Sequence, residues 1–388
     1  MARFALDGPA LVSEIEISQV GSRKERNAFI KLPWRIYRND PAWVPPLILE
    51  RKAFLNRKRH PFYKHGDAAL FLARENGEIV GRIMASDDPN YNSLHQSNVG
   101  CFGLFECIDD RNVATALFQA AAGWLRKRGR TEIMGPIDYS TNYVCGLLID
   151  GFKHPPAILT AHNPPYYVDL IEGCGFRKEK DWYAWWFSEF TRPIKRLRKI
   201  ATARAAKQGV ALRSINVGKM AEESQRIRTV YNEAWRKNWG FVPFTEAESE
   251  YMAKEMKSLI VPQGTLIAEI GDVPVGFVIA VPDINVALRH INGRLTWFGL
   301  PIGLVKLLYY RTNYRRKIRT GRMVALGIVE RYRRAGVAEA LVLREIEEGF
   351  NTGELSMTLE DNFMINRFIE ALGAERYKTY RIFKRTLT

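Results

Sequence analysis

Apolar positions along this chain follow two rhythms, and one order of rhythms occurs twice. The first half opens with helical spacing around Ala28–Tyr37 and Leu47–Asn56. Two runs with strand character follow, Ala69–Arg74 and Ile79–Ala85, and the Asn76-Gly77 between them predicts a hairpin. A strand over Gly100–Ile108 comes next. Asp109 or Asp110 can then cap a helix from Arg111 to Arg128 that Gly129 ends. A strand near Glu132–Met134, a Gly-Pro loop, a helix near Tyr166–Glu172 and an aromatic strand over Asp181–Phe187 complete the half. After a helix beginning near Pro193, the order returns. It comprises a helix over Ala221–Lys237, a hairpin of Thr265–Ile270 with Val275–Val281, and a strand over Met323–Val329. A helix over Gly336–Gly349, a strand over Leu355–Leu359, a helix over Phe363–Leu372 and a strand over Thr379–Lys384 follow. Asn163 stands 12 residues before Gly175, and Asn362 stands 11 before Gly373, each pair with a helix between. These offsets predict an internal duplication of one α/β unit. We place one repeat at residues 1–190, a helical connector at 191–215 and a second repeat at 216–388.

Charge changes the picture because it is concentrated. The 388 residues carry 58 Lys plus Arg against 42 Asp plus Glu, a net +16. Eight basic residues and no acid lie in Arg192–Arg213, and seven and no acid in Lys306–Arg322. Such runs suit an anionic partner, although a charge run is also often a solvated helix face. The four cysteines form no C-x-x-C pair and the six histidines show no metal-ligand spacing, so neither a disulfide framework nor a metal site is expected. The first twenty residues carry Asp7, Glu14 and Glu16 and do not read as a signal peptide. No run of about 20 apolar residues predicts a membrane span. Leu295–Tyr310 comes nearest, but Gly299, Pro301 and Gly303 interrupt it, which fits an interfacial, re-entrant or pocket-lining segment.

The sharpest chemical signal is Val329–Ala338, V-E-R-Y-R-R-A-G-V-A, between a strand and a helix. Small residues let a backbone approach phosphate oxygens, and a helix start offers free N–H groups. Arg333-x-x-Gly336-x-Ala338 resembles the pyrophosphate loop of the GNAT acyltransferases, and Leu355–Ala374 resembles their strand–Asn–helix–Gly block. The resemblance implies a tandem GNAT α/β fold with a mixed sheet, in which two central strands splay and acyl-CoA enters the gap. By it, Arg333, Arg334, Gly336, Val337 and Ala338 hold the pyrophosphate, Leu326 and Ile328 meet the pantetheine arm, and Asn362 lies near the thioester. A backbone N–H near Leu326–Ile328 would stabilise the oxyanion. The Tyr that many GNATs place four residues before the Gly is Ile369 here, which leaves Tyr377, Tyr380 and Tyr310 as candidate acids. The corresponding segment of the first repeat, Cys107–Ala116, carries Asp109 and Asp110 in place of a phosphate loop, so that repeat is expected not to bind CoA.

The pieces Gly103–Asp110, Gly135–Asn142 (G-P-I-D-Y-S-T-N), Gly146–Phe152, Asn238–Pro243 (N-W-G-F-V-P) and Glu354–Asn362 together resemble the bacterial ceramide synthases over nearly the whole chain. That resemblance implies N-acylation of a sphingoid base by a long-chain acyl-CoA, without a metal. An amine must lose a proton before attack, and Glu360, beside Asn362, is the first candidate base, with Asp361 and Glu354 as rivals. Asn238, Trp239 and Phe241 fall where GNATs bind the acceptor, and Tyr310 lies in the segment suited to an acyl tail or a bilayer surface. The resulting expectation is a cytoplasmic enzyme held peripherally on the anionic inner-membrane surface, with no nucleic acid and no obligate protein partner. Two rivals stand beside it. An aminoacyl-tRNA-dependent or small-amine transferase would reveal itself by bound RNA or by turnover of other amines. A non-catalytic GNAT shell would turn over no acyl-CoA.

Overall fold

The computed structural model describes residues 14–188, 194–350 and 352–387. Arg192, Pro193 and the N-terminal thirteen residues used above lie outside them. Among the described residues, thirteen strands form one sheet. In the first repeat these are β1 (Ile15–Gln19), β2 (Asp67–Glu75), β3 (Glu78–Asp87), β4 (Val99–Cys107), β5 (Glu132–Gly135), β6 (Leu147–Asp150) and β7 (Arg177–Ser188). The second supplies β8 (Ala211–Ser214), β9 (Thr265–Ile270), β10 (Val273–Pro282), β11 (Gly321–Ile328), β12 (Thr352–Leu359) and β13 (Glu375–Thr386).

The order across the sheet is β1-β2-β3-β4-β5-β13-β7-β12-β11-β10-β9-β8, with β6 pairing off the path to β13. It reads alike from either end: five strands of one repeat, the last strand of the other, then the repeat's own last strand. Each repeat therefore completes its sheet with a strand from its partner. β13 pairs antiparallel with β5 and β7, and β7 with β12 and β13. The repeats are distinct in sequence, but 1–190 and 216–388 are not separable sheets. The aromatic run in β7 has a physical reason here, because the strand is central: Ala184, Trp185 and Phe187 are buried.

In each repeat the β4/β5 or β11/β12 pair is parallel and short. β4 and β5 pair only over Val99–Cys101 with Glu132–Met134, and β11 and β12 only over Gly321–Met323 with Gly353–Leu355. Beyond these residues the strands diverge, and the two gaps meet different fates. In the first repeat the chain itself fills the gap: Ile137 N–H donates to the Phe102 carbonyl at 2.7 Å and Leu104 N–H to Asp138 Oδ1 at 3.0 Å. Gly103 is required there, since a Cβ would lie 2.4 Å from the Ile137 carbonyl oxygen. The second gap opens into a cavity.

The helices largely follow their apolar spacing, with differences of physical origin. Pro33 divides the first predicted helix into Arg23–Lys31 and Pro33–Ile36. Arg111–Arg126 is capped by Asp110, whose carboxylate accepts from Asn112 and Val113 N–H. The basic helix, Ile194–Ala206, is less a connector than a layer: Ala201 and Ala205 are buried in one core cluster with Val337, Ala340 and Leu341. Its charge is partly spent at home, with Arg198 paired to Glu347 and Glu348 and Arg204 donating to the Arg334 carbonyl at 2.7 Å. The interrupted apolar segment becomes the helix Ile302–Thr312.

Candidate active site

The second gap is one end of a cavity of about 1210 Å3 that both repeats line. This exceeds the ~300–1,000 Å3 of pockets that hold one drug-sized ligand. Val324, Ala325, Leu326 and Ile328 line it from β11, and Ser356, Met357, Thr358 and Leu359 from β12. Asn238, Trp239, Phe241, Asn362, Arg333 and Ala338 line it as well. Much of the remaining wall is apolar and includes Trp43, Leu47, Phe54, Met256 and Leu288.

The loop after β11 ends at Gly336, whose φ of 79° is in the left-handed region that glycine adopts without cost. The helix Val337–Glu348 follows with no side-chain cap, which leaves its first N–H groups to an anion. The first repeat differs at this point, because Asp110 has already taken those donors. Arg333 is tied back, donating to the Ile328 carbonyl at 3.3 Å and to the Ala234 carbonyl. Arg334, Gly336 and Val337 do not line the cavity; Val337 is core, while the Arg334 backbone carries the contact from Arg204. Glu339 adds an acid to this first turn. Its Oε2 is buried without a hydrogen-bond partner among the described residues. Removing that charge should favour an anion at the helix start. We expect Glu339→Gln to bind palmitoyl-CoA several-fold more tightly at low salt, since like charges about 4 Å apart repel by about 1 kcal/mol even in bulk water. A calorimetric titration of both proteins checks this.

The candidate acid–base residues are placed differently from expectation. Glu360 does not line the cavity: its carboxylate accepts from Lys178 Nζ at 2.6 Å and from Asp181 N–H at 3.1 Å. Asp361 lines the rim, paired with Lys180 at 2.9 Å. Tyr310 packs near His290, and Tyr377 donates to Glu354 Oε2; neither lines the cavity. Trp235 Nε1 donates to the Leu326 carbonyl at 3.2 Å, so this part of β11 already carries one side-chain contact.

Beneath the point where β11 and β12 part lies a buried charged network. Glu354, fully buried, accepts from Ser356 Oγ and Tyr377 OH and faces Arg322 Nε at 3.3 Å and Lys378 Nζ at 3.8 Å. Arg322 Nε donates to Ser356 Oγ at 2.9 Å, and its NH1 to the Ile158 carbonyl at 2.7 Å; Lys378 donates to the Pro155 carbonyl at 2.7 Å. Burial pushes the Lys378 ammonium below its ordinary range despite Glu354. Burial, with the neighbouring Glu354 carboxylate, pushes the Tyr377 hydroxyl well above its own. Arg322 therefore does not belong to the exposed basic face its position in the sequence suggested. Arg322 and Ser356 present this network to the cavity.

None of the first-repeat residues that line the cavity stands out in the sequence as a site candidate. Asp138 and Asn142 come from the G-P-I-D-Y-S-T-N segment, and Trp182 from the aromatic strand. Their motif was visible; their convergence on the second repeat was not, because it depends on the exchanged strands. Among the described residues no group of three or more His, Cys, Asp or Glu is placed to hold a metal ion, and the four cysteines are free thiols.

No family model matches the chain. Among known proteins it is similar to Protein YghO of Escherichia coli, 36% identical over 381 residues, covering 94% of each chain. It is also similar to the bacterial ceramide synthase of Caulobacter vibrioides, 33% identical over 384 residues, covering 97% of this chain and 98% of that one. Among solved structures it resembles a tandem GNAT protein from the clavulanic acid biosynthesis pathway, with a TM-score of 0.56, 13% identity and coverage of 97% and 99% of the two chains. A fungal glucosamine N-acetyltransferase region gives a TM-score of 0.55 at 14% identity over 96% of this chain and 38% of that one. With its paired splayed strands and sequence identity over nearly its full length, this chain belongs to the bacterial ceramide synthase family and has the tandem GNAT fold.

Proposed function

We propose that this protein is an N-acyltransferase that moves a long-chain acyl group from acyl-CoA to the amine of a sphingoid base. The observation that carries the reading is the gap between β11 and β12, which joins an uncapped helix start to a large, mostly apolar cavity. In this reading the pyrophosphate rests on Arg333–Ala338 and the pantetheine arm runs beside Ala325–Ile328. The two hydrocarbon chains share the apolar wall that both repeats build.

The reaction forms the C–N bond of an amide and breaks the C–S bond of the thioester. The amine gives up one proton before attack and a second as the tetrahedral intermediate collapses, and the thiolate leaves protonated as CoA thiol. A backbone N–H of β11 beside the gap is the oxyanion donor in this reading. Asn362, which lines the cavity, is a contact for the donor in this reading. Glu360 can serve as base only if its pairing with Lys178 opens, which makes it a weaker candidate than a carboxylate already in the cavity.

Mixing purified protein with palmitoyl-CoA and 3-ketosphinganine tests the reaction. Thiol release that depends on the base, with an N-acyl product by mass spectrometry, is the expected result. Release of CoA without an amide, or no release from folded protein, would contradict it.

We further propose that the enzyme works at the surface of an anionic membrane on the cytoplasmic side. No described helix is long and apolar enough to cross a membrane. Phe298 is 99% exposed, and Leu300, Ile302, Val305, Leu308 and Tyr309 are exposed beside it. Lys306, Arg315, Arg316, Lys317 and Arg319 flank them on the surface. An apolar face rimmed by cations suits insertion among anionic headgroups. Leu307 and Tyr310, on the other side of the helix, pack on the cluster containing Met256, Ile260, Ile284 and Leu288, which also line the cavity. The protein should float with vesicles containing phosphatidylglycerol at low salt, and Phe298→Glu should float several-fold less. Equal flotation with purely zwitterionic vesicles would remove the electrostatic part of this reading.

A further inference from the structure

The loop from Ile137 to Cys145 is held on both sides. Asp138 N–H donates to the Val144 carbonyl at 2.9 Å, Ser86 Oγ to the Tyr139 carbonyl at 3.0 Å, and Tyr139 OH to the Phe54 carbonyl at 3.0 Å. From the second repeat, Tyr231 OH donates to Asn142 Oδ1 at 2.8 Å, and the Gly240 carbonyl accepts from Thr141. The loop thereby becomes a rigid wall of the cavity, set against the Asn238–Phe241 turn.

Two buried donors of the first repeat lack hydrogen-bond partners among the described residues, and a buried carboxylate lines the same cavity. Asn142 spends its carbonyl oxygen on Tyr231, while its Nδ2 is buried with no hydrogen-bond partner among the described residues. Trp182 stacks edge-on to Trp239 with ring centres 6.1 Å apart, and its Nε1 is likewise buried and unpartnered. The Asp138 carboxylate, 7% exposed, accepts a hydrogen bond from Leu104 N–H and has no salt bridge among the described residues. Arg51, the cation facing it, is already taken in two contacts by Glu50. Buried donors are rarely left unpaired, because each costs about 1–3 kcal/mol when unsatisfied. Here two donors and a carboxylate line one cavity whose walls are otherwise largely apolar.

From this arrangement we infer that Asp138, Asn142 and Trp182 form the head-group subsite for the acceptor, binding an amino alcohol or amino ketone rather than a plain long-chain amine. The inference rests on the proposed amine acylation and names what selects the amine. The ammonium pairs with the Asp138 carboxylate. The hydroxyl or keto oxygens of the same head group accept from Asn142 Nδ2 and Trp182 Nε1. The hydrocarbon tail then lies along the aromatic and aliphatic wall. The first repeat, whose own gap is closed by its backbone, thus acts as the acceptor-recognition half of the molecule.

Binding measured without any acyl donor tests this apart from turnover. Sphinganine and octadecylamine have the same chain length and differ in the two hydroxyls. Calorimetric titration of each amine in neutral detergent micelles gives their affinity ratio. The wild-type protein should prefer sphinganine at least about tenfold, the worth of one or two hydrogen bonds to buried donors. Trp182→Phe removes a donor and keeps the ring, and Asn142→Asp keeps the acceptor for Tyr231 and removes the N–H donors. Each should cut the ratio about tenfold. Trp182→Phe should do so with a melting temperature equal to or above wild type, since it deletes an unpaired donor, an outcome a purely structural role for the indole N–H would not give. Equal affinities in the wild type, or an unchanged ratio in both variants, would overturn the subsite. Selective binding without amide formation would keep the subsite and remove the proposed reaction; amide formation with unselective binding would do the reverse.

Discussion

Glu354→Ala should be the most damaging single substitution to stability in this protein, with a loss of about 3–5 kcal/mol. Two cations, Arg322 and Lys378, share this carboxylate at 3.3 and 3.8 Å, and all three groups are buried. Deleting the anion leaves both cations without their counter-ion in a low-dielectric interior. It also takes the acceptor from Ser356 and Tyr377. Glu354→Gln keeps one acceptor oxygen for one of these two hydroxyls and should recover part of the loss. The cluster also ties the repeats together, because Arg322 and Lys378 hold the first-repeat carbonyls of Ile158 and Pro155. Chemical denaturation of the two variants measures this. Equal stability of Glu354→Ala and wild type would mean that water reaches the network and screens it.

Asp138→Asn should lose activity while gaining stability. Burial holds the Asp138 carboxyl up to about 6, against the lowering effects of Arg51, the Leu104 N–H and Arg82, with Glu50 adding to the rise. A raised carboxyl binds its proton more tightly in the folded chain than in the unfolded one. Its contribution to stability is therefore full below the unfolded value near 4 and is lost as pH rises through about 6. Above that, the ionised group costs the native state free energy that an amide would not. Near pH 7.5 we expect Asp138→Asn to raise stability by on the order of 1–3 kcal/mol. Activity runs in the opposite direction. If the carboxylate holds the ammonium, kcat/KM for the amine falls as pH drops through about 6, since that parameter reports the free enzyme. In Asp138→Asn this acid limb should vanish, and kcat/KM at pH 7.5 should fall about 10–100-fold, the worth of a charged hydrogen bond. A pH profile of both proteins, with unfolding measured alongside, checks both signs.

The repeat was legible because it is written locally. The Asn-Gly hairpin turn, the Asp110 cap, the Arg333–Ala338 loop and the spacing from Asn362 to Gly373 each announce themselves within a dozen residues. The splayed strands followed from the family resemblance, and the short pairing of β11 with β12 matches it. Asn238, Trp239 and Phe241, expected near the acceptor, do line the cavity, but the place of Asp138 and Asn142 was not legible. Asp138 and Asn142 belong to a motif that could be quoted but not placed, because its place depends on β13 inserting between β5 and β7. Charge counting failed at Arg322 for the same reason: position in a basic run does not show that one member turns inward to a buried carboxylate. Glu360 was favoured by its nearness to Asn362 along the chain, yet in space Lys178, from β7, reaches it first. Short elements such as β1, β6 and β8 carry too few alternating residues to stand out, and they form through their partners in the sheet.

A crystal structure with a non-reactive thioether analogue of palmitoyl-CoA would test the central claim most directly, that donor and acceptor meet in one cavity built by both repeats. The account predicts the pantetheine arm beside Ala325–Ile328, the pyrophosphate on the loop Arg333–Ala338, and the acyl chain in the cavity shared with Asp138, Asn142 and Trp182. A donor bound between β4 and β5, or one whose acyl chain lies outside that cavity, would contradict it.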